Sequence, residues 1–325
     1  MNISQSNNTI EETCNSKQED IINYLDSIFF KAFNKVPFDV LCTVLRVSGM
    51  QDAGWDPFEE STQTLDDLNW LSLKAKERSQ KAIWRIALLQ YCQLVEMSAA
   101  HDILANLLRV INDEPFIKQP FFDKIRDKKN SSWYTIPPSA TTKFKRIREY
   151  AERAKEQQLV DLVNGFFDDE IRNAFSHSDY IITEDQFRIT ESGVGKVLQL
   201  TQLSDKINLA FDFYRALIVC HRRWQRLFAS IPKYHQLPYY EVLEILSSES
   251  KELLGFNVHF SNGSKATYTR SLKGVETINF SFNDEGCVVF MVGLIDALEP
   301  KWKIDGIEVT DWSKLRPDLS SIQLD

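Results

Sequence analysis

The chain has 325 residues, 43% hydrophobic and 26% charged, the make-up of an ordinary globular protein with room for a substantial core. A formal net charge of −8 argues against a protein that coats nucleic acid without selectivity, though a local basic site stays open. Only eleven Gly and ten Pro occur, which favours long helices over many short strands joined by turns.

Residues 1–16 are polar, lack an apolar signal core and are expected to be disordered. From 17 to 34, Ile21, Ile22, Leu25, Ile28, Phe29 and Phe33 fall on one helical face. Pro37 separates a second short helix, 38–47, and 51–63 reads as a loop. The spacing predicts a long helical region over roughly 64–112, broken near 77–80. Its second half, IWRIALLQYCQLVEMSAAHDILANLLRVI, is apolar nearly all round, as a central bundle helix should be. Four prolines make 113–141 an extended loop, and helices follow at 142–157 and 158–176.

The period then changes. Residues 180–183 and 187–190 read as a small hairpin, and helix returns at about 196–230. Pro232 to Pro238 marks a boundary. Beyond it a helix is expected at 239–254, then strand-like runs near 256–260, 266–270, 276–282, 287–292, 302–304 and 307–309. The expected fold class is mainly α: a helical bundle over 17–230 with a small β-hairpin, plus a C-terminal α+β accessory domain over 236–325.

The five cysteines (Cys14, Cys42, Cys92, Cys220, Cys287) form no C-x-x-C pair, and three sit in apolar helical patterns. Neither a zinc site nor a disulfide framework is expected, and a reducing cytoplasm fits best. No apolar run reaches membrane-span length, so no membrane role is expected. His101, His235 and His259 lack partners at ligand spacing, and the phosphate-loop, dinucleotide, zinc-peptidase and nucleophile-elbow motifs are missing. No cofactor is expected.

The most informative segment is Arg172-Asn173-Ala174-Phe175-Ser176-His177. It offers a guanidinium, a carboxamide and an imidazole within two helical turns, a trio able to bind phosphate and move a proton without metal. Asp168 and Asp169 lie four and three positions before Arg172, at pairing distance. Arg172 and His177 are about 140° apart on a regular helix. They meet on one phosphate only if the helix ends or distorts at Phe175–Ser176. The structural alternative is a plain helix C-terminus, with His177 favoured by the dipole and Arg172 paired to an upstream Asp.

The run I-R-N-A-F-S-H-S-D-Y resembles the signature of the HEPN superfamily, an R-x4-6-H motif late in a helical bundle, often with a polar residue after the Arg. The resemblance implies a metal-independent endoribonuclease in which two protomers bring their Arg–His pairs into a composite cleft. It implies His177 as general acid or base for attack of the ribose 2′-OH on the adjacent phosphate, and Arg172 as the group that stabilises the phosphorane. Asn173 would position one of these groups, and the products would carry 2′,3′-cyclic phosphate and 5′-OH ends. Asp169, Glu96 and Tyr180 are the supporting candidates, with Asp102 a further acidic candidate beside Glu96 on the central helix. Glu96, like Asp102, also reads as plain helix-surface charge. Bacterial members commonly act as toxins or in antiphage defence, which brings in a neutralising or regulatory protein partner. Other members keep the fold without nuclease activity. The alternative is therefore a non-catalytic module for dimerisation or for nucleotide or partner binding.

Residues 118–155 hold eleven Lys/Arg against four acids. Phe121, Phe122, Trp133, Tyr134 and Phe144 are interleaved with them. Lys128, Lys129, Lys143, Lys145 and Arg146 are the candidates for tracking an RNA backbone while aromatics stack on unpaired bases. The alternative is a solvated segment whose aromatics anchor it to the bundle.

Overall fold

The structure, a computed structural model, describes residues 16–46, 57–75, 77–121, 123–126, 133–136, 138–190, 195–231, 233–236, 242–260, 263–271, 274–278, 280–282, 288–290, 303–304 and 307–308. These are mostly helical, with small sheets, and the chain divides into two compact units. The first takes in Met1–Pro37, Asp56–Glu114 and Pro120–Cys220, and the second Phe38–Trp55, Pro115–Gln119 and His221–Asp325.

In chain order the elements begin with α1 (Ser16–Lys35), α2 (Pro37–Leu45), α3 (Pro57–Ala75), α4 (Gln80–Val95) and α5 (Ser98–Ile111). A hairpin of β1 (Asp123–Arg126) and β2 (Trp133–Ile136) follows, then α6 (Ala140–Arg153), α7 (Gln157–Phe166) and α8 (Asp169–His177). Strands β3 (Tyr180–Ile182), β4 (Gln186–Ile189) and β5 (Lys196–Gln199) make an antiparallel sheet in that order, and α9 (Leu200–Ser230) is the longest helix.

Several expectations change. The stretch 57–63 is helix, because Pro57 stands at the first helical position, where a missing N–H costs nothing. The long region 64–112 breaks a second time at Glu96–Met97, where the Glu96 amide closes α4 on the Cys92 and Leu94 carbonyls. Within the expected extended loop, Asp123–Arg126 and Trp133–Ile136 pair as antiparallel strands. The helix expected over 158–176 is two helices. Residues 196–199 are a third strand on the hairpin.

The first unit is centred on α5, where Ile103, Leu104, Leu107 and Leu108 are all buried. Phe144 of α6, Phe166 of α7 and Phe213 and Tyr214 of α9 stack edge-on or tilted against one another, with centroids 5.0–5.9 Å apart. Each such ring contributes about 1.5–3 kcal/mol by leaving water. His101 is part of this core, bonding the Tyr214 hydroxyl at 2.9 Å. Burial and the nearby Lys143 lower its pKa to about 3, so it stays neutral.

The second unit holds β6 (Tyr234–Gln236), β7 (Val242–Ser247), β8 (Leu253–His259), β9 (Lys265–Ser271) and β10 (Gly274–Ile278), an antiparallel sheet in the order β10-β9-β8-β7-β6. Two-stranded pairs follow: β11 (Phe280–Phe282) with β12 (Val288–Phe290), and β13 (Lys303–Ile304) with β14 (Ile307–Glu308). The helix expected at 239–254 is therefore replaced by β7, a turn and the start of β8. Val242, Leu243, Glu244 and Ile245 are all buried, so both faces of β7 are covered, and such a run imitates helical spacing. Gly255 has φ +152, and a Cβ there would come within 2.0 Å of the Tyr268 carbonyl oxygen, so only glycine lets β8 and β9 pair at this point.

Candidate functional site

Helix α8 exists because of the break before it. Phe167 turns extended, Asp168 takes the N-cap position, and its carboxylate accepts the Ile171 amide at 3.3 Å. Asp169 and Glu170 occupy the first turn and His177 the last, both favourable to the helix dipole. Lys196 and Lys206 reach the Asp168 carboxylate at 3.8 and 3.5 Å, and Lys196 also pairs with Glu170. At the other end Ser178 is left-handed, and the Asp179 amide turns back to the Ala174 carbonyl at 2.8 Å, a Schellman closure.

The helix is thus regular through His177. The ending at Phe175–Ser176 that would let Arg172 and His177 converge is not found, because Ser178 rather than Phe175 supplies the left-handed stop. Within one chain the two side chains diverge by about 140°.

Arg172 is held from both sides. Its Nε and Nη2 donate to Asp169 Oδ1 at 3.1 and 2.7 Å, Nη2 also donates to Asn173 Oδ1 at 2.8 Å, and Nη1 donates to Glu96 Oε1 at 2.6 Å. Its side chain is 18% exposed. Burial works against the charge, but the bonds to Glu96 and Asp169 outweigh it and hold its pKa above the usual arginine value. Glu96, which also reads from the sequence as plain helix-surface charge, is the residue that joins the end of α4 to α8. Arg172, Asn173, Asp169 and Glu96 are brought together as one cluster.

His177 stays apart, exposed on the last turn. Tyr180 is stacked between Phe175 and Phe187, with centroids 5.5 and 5.4 Å away, so it anchors the end of α8 to the three-stranded sheet.

The RNA-backbone candidates separate. Lys143 is buried, and its Nζ donates to Ser98 Oγ at 2.6 Å, so it is not a surface cation. Burial depresses its pKa despite the nearby Asp102 and Glu96. Burial also lifts the Asp102 carboxyl to about 7, against the pull of Lys143. Lys145 is exposed, with Glu149 at 3.9 Å, and Arg146 donates to the Phe121 carbonyl at 2.8 Å. Phe121 and Phe144 are buried and cannot stack on bases. Lys128 and Lys129 lie outside the described residues.

A second polar network, not legible in the sequence, lies in the second unit. Glu244 Oε2 accepts from Asn257 Nδ2 and His259 Nε2, each at 2.8 Å, Oε1 pairs with Lys233 at 3.0 Å, and Thr267 donates to Asn257 Oδ1 at 2.8 Å. These bonds, His259 foremost, hold the Glu244 carboxyl at about 2. Lys233 also lines a cavity of about 460 Å³ with Ser247 and Thr269.

Among the described residues, no group of three or more His, Cys, Asp or Glu could hold a metal ion, and no helix is long and apolar enough to cross a membrane. Set against known proteins, the chain matches no family model, no curated protein and no solved structure.

Proposed function

We propose that the chain is a metal-independent endoribonuclease of HEPN type. The observation that carries the reading is the clasp on Arg172. Three side chains from two helices fix a guanidinium that keeps a fraction of its surface open, and an exposed imidazole stands on the same helix. In this reading Arg172 binds the scissile phosphate and stabilises the charge that builds on its oxygens. His177 takes the proton from the ribose 2′-OH, whose oxygen attacks the phosphorus, and the 5′-oxygen leaves with a proton returned to it. Asn173 and Asp169 orient the guanidinium.

Because Arg172 and His177 diverge on one helix, the pair that works on a given phosphate comes from two chains, in a homodimer. A role as a toxin or in antiphage defence, in the cytoplasm and under control of a protein partner, follows from the resemblance. The test is cleavage of RNA by the purified chain in the presence of chelator, with Arg172→Ala and His177→Ala as controls. The reading requires 2′,3′-cyclic phosphate ends from the parent and none from folded variants. Equal cleavage by the variants ends it.

One observation favours a second reading. Nε, Nη1 and Nη2 of Arg172 all have partners, so the group can serve as a structural tie between α4 and α8 in a non-catalytic dimerisation, nucleotide- or partner-binding module. That reading predicts a lower melting temperature for Arg172→Ala and no cleavage by the parent.

A further inference from the structure

Away from Arg172, a serine and a lysine meet at the junction of α5 and α6. Ser98 is the first residue of α5, Lys143 is the fourth of α6, and Lys143 Nζ lies 2.6 Å from Ser98 Oγ. Ser98 is exposed while the Lys143 side chain is buried, so the hydroxyl stands at the surface with the amine behind it. Ser98 is not occupied as a helix cap: the N-cap position belongs to Met97, which makes no side-chain cap bond. The other contact of the hydroxyl, with the Glu96 carbonyl, is 3.4 Å, long for an O–H···O bond. The hydroxyl proton is therefore free to turn toward the amine.

A buried lysine held for structure alone is ordinarily closed by a carboxylate. Lys143 is not. Asp102, one turn along α5 from Ser98, and Glu96, at the end of α4, are the acids that face it, and neither forms an ion pair with it among the described residues. The neighbouring His101 is neutral. Helical side chains lean toward the N-terminus, which here places the amine at the positive end of the α6 dipole. Burial acts in the same direction, against the ammonium, and outweighs the pull of both acids. A lysine so placed gives up its proton more readily than an exposed one. A neutral amine 2.6 Å from a hydroxyl is a general base within reach of a nucleophile.

The backbone supplies a third element. The Ser98 and Ala99 amides occupy the first two positions of α5 and have no acceptor within the helix. With no cap from Met97, they are donors beside the serine oxygen, where an oxyanion would form on a carbonyl attacked from Ser98. We propose that Ser98 and Lys143 are a nucleophile–base pair for acyl transfer, acting on carboxylic esters. Lys143 takes the Ser98 proton as Oγ bonds to the carbonyl carbon. The C–O bond to the alcohol then breaks, and the alkoxide leaves with that proton. Water, deprotonated in turn by Lys143, attacks the acyl-serine, which releases the carboxylic acid and restores the hydroxyl. One ester and one water give one alcohol and one acid, with no redox change. Neither Arg172 nor His177 takes part, so this activity stands or falls separately from the ribonuclease reading.

The test uses the full chain and p-nitrophenyl acetate. Nitrophenolate release is followed across pH, and acid-quenched samples are digested and mapped by mass spectrometry for the acetylated residue. The parent is expected to carry the acetyl group on Ser98 and to turn over. Ser98→Ala, a change at an exposed position, should fold and lose the adduct. Lys143→Arg keeps a cation and a donor for Ser98 but cannot act as a base, so it should acylate roughly 100-fold more slowly or worse. The parent's rate should level off with an apparent pKa below the 10.5 of an ordinary lysine, and the rate of Lys143→Arg should not. Adduct mapping and the parent's pH limb decide the matter even if Lys143→Arg unfolds. No adduct on Ser98, an adduct on Lys143 in its place, or equal acylation by folded Lys143→Arg overturns the proposal.

Discussion

The Tyr91 hydroxyl accepts the Asp168 amide at 2.9 Å and donates to the Phe166 carbonyl at 2.9 Å, so one buried group on α4 bridges the break between α7 and α8. Two backbone groups that a continuous helix would have paired are satisfied by a side chain far away in sequence. Burial pushes the phenol pKa up, so it stays protonated and can donate. Tyr91→Phe keeps the ring and removes both bonds. It should lower stability by about 1–3 kcal/mol, the cost of stranded buried polar groups, in chemical denaturation at neutral pH. Because Asp168 caps α8, the same variant should lower RNA cleavage more than a core substitution of equal cost, such as Ile103→Val.

Arg172→Lys separates charge from geometry. A lysine keeps the positive charge but cannot reach Asp169, Asn173 and Glu96 together, since its three donors share one nitrogen. If the clasp positions the guanidinium for catalysis, the variant should lose roughly 100-fold or more in rate, in the range of a lost oxyanion-type donor. Glu96→Gln should cost less in stability, on the order of 1 kcal/mol or below, because that carboxylate is half exposed and water screens the pair. Initial rates beside melting curves distinguish the two effects.

The sequence yields the helical character of the described part of 17–230 and the pairing of Arg172 with an upstream Asp, because these depend on residues within one or two turns. It yields the strands from 256 onward for the same reason. What it hides is long-range. The break at Phe167–Asp168 depends on Tyr91, and the part played by Glu96 depends on α4 lying against α8. The strand β7 carries apolar residues on both faces, which share their short-range spacing with a helix. His259 reads as isolated because its partner, Glu244, lies in a segment whose spacing suits a helix.

Lys143 and Lys145, two positions apart on α6, should behave oppositely. They lie about 160° apart around the helix, one turned toward Ser98 and the other to solvent. Lys145→Glu should weaken retention of single-stranded RNA and flatten its salt dependence, with little change in melting temperature. Lys143→Met should change stability and leave the salt dependence of binding alone. Filter binding at several salt concentrations, beside thermal melts, checks both; a Lys143 effect confined to binding would contradict its burial.

Glu244 sets an acid limb on stability. Its carboxyl, held at about 2 in the folded chain against an ordinary value of 4.5, prefers the ionised form when folded. A depressed carboxylate contributes fully above the unfolded value and loses that contribution as pH falls toward the folded one. The window is therefore about pH 4.5 down to 2. A shift of this size corresponds to roughly 3 kcal/mol at most. Glu244→Gln keeps an acceptor for Asn257 and His259 but removes the charge, so it should be less stable than the parent at pH 6. The two should converge as pH falls through the window. Denaturant titrations of parent and variant at pH 6, 4 and 3 provide the comparison, and parallel curves at all three would remove Glu244 as the source of the acid limb.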